Sequence, residues 1–181
     1  IPFINAKYHI NADMDGLKRL RTKYLADICK KTEKTIAVSC TNTASFLMDY
    51  MAYSPELQRH IKLSPRAEKR GSLPPSDYVV NLSITAAELM GTPYGVAMSN
   101  AFYNGDDAAG EKVVYMAVTN DAQTVVREIH SLNNEDIPAF LERCCADLCV
   151  FVAGIIEKDA GLVPEEKVPE KSSKKAKGLI A

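Results

Sequence analysis

A chain of 181 residues suits one domain, and a hydrophobic share of 46% supplies enough apolar side chain to bury a core. Charged residues make up 25% and the formal net charge is −1, which excludes any strong whole-molecule attraction to nucleic acid. The five cysteines are odd in number and three cluster at Cys144, Cys145 and Cys149, which argues against a disulfide framework and for an intracellular, reducing compartment.

No apolar run approaches the ~20 residues of a membrane span. The chain opens at Ile1. An organellar location is expected only if a presequence was removed ahead of it. The triplet Asn81-Leu82-Ser83 sits among apolar residues and reads as an unused glycosylation signal.

The first periodic segment is Asp15 to Lys31, where Leu17, Leu20, Tyr24, Leu25 and Ile28 recur at helical spacing. Residues 34–39 read as a short connector. Thr41 or Asn42 caps a second helix carrying Phe46, Leu47, Tyr50 and Met51, which Pro55 ends. Ser54-Pro55 and Ser64-Pro65 each place a hydroxyl before a proline, the grammar of a helix start, so short helices are expected at 55–62 and 65–70. The Pro74-Pro75 pair falls in a break.

Asp77 to Met90 carries mixed signals, with Tyr78-Val79-Val80 favouring a strand and Thr85 to Met90 a helix. Helix is the reading adopted, capped by Ser76 or Asp77. Residues 95–103 and 111–119 form the arms of an antiparallel hairpin, the second alternating Val113, Tyr115 and Ala117 against Val114, Met116 and Val118. A helix is expected over 121–132, with Val125, Val126 and Ile129 inward.

The longest element predicted is a helix over 134–159, with Ile137, Leu141, Cys144, Leu148, Val152 and Ile155 in steps of four and three. Its stretch from Leu148 to Ile156 is continuously apolar, and Gly161 ends the helix. From Pro164 onward Pro, Glu, Lys and Ser dominate, as in an extended arm. The expected fold is therefore α+β and predominantly helical: several helices packed around a long C-terminal helix, with one antiparallel β-hairpin. The expected organisation is a single globular domain over 1–161 and a tail over 162–181.

Few residues point to chemistry. Cys145 and Cys149 share a helix face and, with His130, could bind a metal or form a Cys-His pair. The Cys-x-x-Cys spacing of zinc sites is missing, so these cysteines read as small apolar core residues. His9, His60 and His130 show no ligand spacing, and Asp106-Asp107 lacks the further oxygen ligands of a calcium loop. The glycines at 91, 95, 105 and 110 match no phosphate-binding pattern. No catalytic residue, cofactor or metal is expected.

Basic clusters at Lys18, Arg19, Arg21 and Lys23, at Arg66, Lys69 and Arg70, and at Lys171 to Lys177 could neutralise phosphates. The segment Lys69 to Leu82 resembles the second loop and third helix of a histone fold, and Ser45 to Asp49 resembles part of a histone central helix. Residues 121–159 would then stand for the first two helices of a second copy. That resemblance implies a nucleic-acid-packaging protein. Pro55 interrupts its first central helix and no third helix follows Gly161.

The expected function is a non-enzymatic structural subunit of an oligomer or larger complex, with Leu148, Phe151, Val152, Ile155 and Ile156 as interface. Nucleic-acid binding is the alternative, through Lys18, Arg19, Arg21, Lys23, Arg66, Lys69 and Arg70. A small enzyme with a cysteine nucleophile at Cys145 or Cys149 is the third reading. Partners are expected to be protein, as a homo-oligomer or hetero-complex, with nucleic acid a further candidate.

Overall fold

The computed structural model describes residues 2–66, 71–103 and 110–162, with side chains described from Gly16 onward except those of Arg66 and Tyr103. In chain order the elements are helix α1 (Pro2–Thr32), strand β1 (Ile36–Cys40), helix α2 (Ala44–Met51), strand β2 (Ile61–Arg66) and helix α3 (Pro75–Met90). Strands β3 (Tyr94–Met98), β4 (Phe102–Tyr103), β5 (Lys112–Thr119) and β6 (Thr124–His130) and helix α4 (Ile137–Asp159) follow. A single 3-10 turn, Leu57–His60, precedes β2.

The strands form one mixed sheet of six, in the order β2-β1-β3-β5, with β4 and β6 also paired to β5. The pairs β1–β2 and β1–β3 are parallel, and β3–β5, β4–β5 and β5–β6 are antiparallel. The fold class is thus α/β. This corrects the expectation of a predominantly helical α+β protein with one hairpin. The hairpin is present as β3–β4 against β5, but it is the middle of a larger sheet.

Three misread segments account for the difference. Residues 34–39, read as a connector, contribute most of β1, a strand buried on both faces, where an unbroken short apolar run replaces alternation. Pro65, read as a helix start, lies in β2, which is an edge strand where a missing N–H costs little. The pairing of β1 with β2 shifts register between Val38 and Cys40, opposite that proline. Thr124 to His130, read as a helix, is β6. Its residues Val125 and Ile129 face one core and Val126 the other, a period of two that also fits helical spacing over so short a run. With β6 a strand, the histone resemblance over 121–159 also falls.

Helices cover both sheet faces. Residues Ile36, Val38, Tyr94, Val96, Met98, Val114, Met116 and Val118 point into the larger core, which α1, α2 and α4 close with Leu25, Cys29, Leu47, Met51, Leu148, Val152 and Ile156. On the reverse face α3 packs Val79 and Leu82 against Ala97 and Ala117. Helix α4 begins at Asp136, whose carboxylate accepts from Ala139 N–H at 2.8 Å. Ahead of it Asn134 takes a left-handed φ of 62°.

The layer on the α3 side is thin because both contacting residues are small. A Cβ built on Gly95 would lie 2.0 Å from the Ser83 carbonyl oxygen and 3.0 Å from Ala87 Cβ. Hydroxyls fill the space beside it: Ser83 and Thr119 share a hydrogen bond at 2.7 Å, as do Thr119 and Thr124. The obstructing atom is main chain and cannot rotate away. Gly95→Ala is therefore expected to destabilise the protein by about 2–3 kcal/mol, the upper end of the overpacking range. Equilibrium urea unfolding checks it, and an unchanged midpoint would contradict the packing described.

Candidate functional site

The parallel strands β1, β2 and β3 end together, and in open α/β sheets ligands bind outside the carboxyl ends of such strands. Three segments meet there, two loops and the last residues of a strand. The first is the turn Thr41-Asn42-Thr43 between β1 and α2. It closes with Thr41 N–H donating to Ser39 O and Ala44 N–H to Thr41 O, each at 3.0 Å. The second is Ser99-Asn100 after β3. The third is Ser64-Pro65-Arg66 at the end of β2.

The turn is fastened to the sheet by a buried bond. Thr43, 3% exposed, donates its hydroxyl to Met98 O at 2.8 Å. Thr41 and Thr43 hydroxyls share a further bond at 3.0 Å. Thr43 is the N-cap of α2 but makes no side-chain cap bond to the helix, because its hydroxyl is committed to β3. The first-turn N–H groups of α2 are left without a side-chain acceptor, and no acidic residue occupies that turn. Such an end favours an anion by about 0.3–1 kcal/mol. Ser99 accepts from Tyr115 N–H at 2.9 Å and donates to Asn100 O at 2.8 Å, which locks the second segment. Cys40 and Thr41 are half-buried and Asn42 is exposed, so the turn presents a thiol, a hydroxyl and an amide to solvent. Sequence reading took Thr41 and Asn42 as caps only. The signal that Thr43 reaches β3 lies in tertiary geometry.

The expected site residues fall elsewhere. Lys18 ion-pairs with Glu142 and sits over the Tyr53 ring at 4.9 Å. Arg21 is half-buried and its charge bears on Tyr50, while Arg19 and Lys23 are exposed. The α1 basic residues thus point in different directions and form no single stripe. The side chains of Arg66, Lys69 and Arg70 and the tail from residue 163 lie outside the described residues. Leu148, Phe151, Val152 and Ile156 are buried by this chain's own helices and sheet, and Ile155 is partly buried against the same core. The apolar run therefore needs no partner to cover it.

His130 lies at the end of β6 between two carboxylates, with Glu111 2.9 Å from Nδ1 and Glu128 3.2 Å from Nε2. Its ring is half-exposed beside these surface carboxylates, whereas Cys144, Cys145 and Cys149 are buried in the core. Arg143 donates to the His130 carbonyl at 2.6 Å and to both Glu135 oxygens at 2.9 and 3.0 Å, which holds the Glu135 carboxyl below the usual carboxylate range. At the other end of the sheet a cavity of about 450 Å³ is lined by Lys34, Tyr94, Asn120, Asp121 and Asp159. There Tyr94 and Asn120 both donate to one Asp159 oxygen, at 2.7 and 2.9 Å. Among the described residues no group of three metal-ligating side chains converges, and no helix is long and apolar enough to cross a membrane.

No protein-family model matches the chain, and no curated protein matches it. Solved structures do. A competence or damage-inducible protein from Enterobacter asburiae superposes with a TM-score of 0.63 over 77% of this chain and 98% of its own, at 13% identity. A competence-damaged protein (CinA) superfamily protein from Klebsiella pneumoniae gives 0.64 over 78% and 98%, at 12% identity. The competence/damage inducible protein CihA from Agrobacterium tumefaciens gives 0.55 over 81% and 95%, at 8% identity. At such identities the likeness is one of fold.

These findings overturn the expected non-enzymatic structural subunit. One of its supports was a helix apolar beyond what one face needs, and this α/β fold buries that helix between α1, α2 and the sheet. The histone-like nucleic-acid alternative fails with the helical fold it required. The cysteine-nucleophile reading fails on burial. Desolvation pushes the Cys29, Cys144 and Cys149 thiols up to about 12 and raises Cys145 as well. A reactive thiolate needs the opposite shift.

Two outcomes follow. In the native protein a mild alkylating reagent is expected to label Cys40 and to spare Cys29, Cys144, Cys145 and Cys149, as read by peptide mass mapping. The buried thiols also set an alkaline limit. Their folded values lie above the ordinary ~8.5 of an unfolded cysteine, so the stabilisation is complete below that pH and is lost as pH rises toward about 12. Each thiol contributes a slope of about 1.4 kcal/mol per pH unit in that window. A urea midpoint that stays level from pH 9 to 11 would contradict this.

Proposed function

We propose that this chain is a small-molecule-processing protein that takes a compact anionic metabolite at the carboxyl ends of β1, β2 and β3. The observation that carries the reading is the diverted cap of α2. Thr43 gives its hydroxyl to Met98 O, so no side chain caps the first turn of α2, which lies beside a thiol, a hydroxyl and an amide. First-turn N–H groups without a side-chain acceptor, at a positive helix end, are complementary to a phosphate or carboxylate. Arg66 ends β2, on the same side of the sheet, and Lys69 and Arg70 follow it in sequence. Their proposed role therefore passes from nucleic acid to a small anion. Cys40 and Thr41 are the groups available to act on it. The structures of like fold carry names that mention competence and damage and no ligand, so the ligand class rests on this chain's own residues.

The test is thermal melting of the full chain with inorganic phosphate, nucleoside monophosphates and dicarboxylates, run beside alkylation of Cys40. A matching anion is expected to raise the melting temperature and to slow Cys40 labelling. Thr43→Val should weaken that binding by about tenfold, since the turn loses its tie to β3 at the cost of one hydrogen bond of about 1 kcal/mol and its preorganisation. If no anion at millimolar concentration moves either readout, the proposal is wrong.

A further inference from the structure

We draw no further inference here: the strongest candidate, the groove of about 890 Å³ between the edge strand β6 and helix α4, is an apolar face with no partner among the described residues, and nothing in the structure shows what covers it.

Discussion

The structure depends on the burial of one helix. Eleven residues of α4, from Phe140 to Ile156, are buried, and no single neighbour could cover them. Strand β5 lies on one side of the helix, and α1 and α2 pack on others. Small side chains make this close approach feasible: Ala146 and Ala153 are buried on α4 among the cysteines. At about 25 cal/mol per Å² of apolar surface, a helix buried on most of its circumference outweighs any ion pair on the molecule's surface. The ion pairs that decorate α4, with Lys18, Arg127 and Glu135, then fix orientation more than they add stability.

The reverse face obeys a different rule. There the sheet carries Gly95, Ala97 and Ala117, and α3 lies close enough for main chain to touch main chain. A thick core on one side and a thin one on the other set the sheet off centre. The parallel half of the sheet, β2-β1-β3, ends at the hydroxyl-rich turn. The antiparallel half, β5-β6, ends at the free edge.

Much of this was written locally. Helices α2 and α4, the helical reading of residues 77–90, the stop at Gly161 and the β3–β5 pairing all follow from periodicity and breaker residues, although the N-caps of α2 and α3 are Thr43 and Pro74 and not the residues expected. The strands that were missed share one property: their local signals agree with something else. Ser64-Pro65 has the grammar of a helix start, and only its place at the sheet edge makes it strand. Thr124 to His130 satisfies both periods, and pairing with β5 decides. The site was less legible than the fold. Thr41 or Asn42 was read as the cap of α2, whereas the cap is Thr43, and its bond to Met98 spans 55 residues of sequence that no local pattern announces. The cysteines were read correctly as packing, because an apolar neighbourhood is a local property.

The change of strand direction between β3 and β5 has a bearing on how the chain reaches this state. The β5–β6 pair joins neighbouring segments and can form as soon as both exist, with α4 next in line to cover it. The β1–β2 and β1–β3 pairs are parallel and must wait for long crossovers to close, at a higher entropic cost. Synthesis runs in the opposite order. The segments of β1 and β2 leave the ribosome first and find no β3 to join and no α4 to cover their apolar faces. The half of the molecule that carries the Thr41–Thr43 turn is therefore the half exposed longest before folding, and the late-made α4 closes the core over both halves.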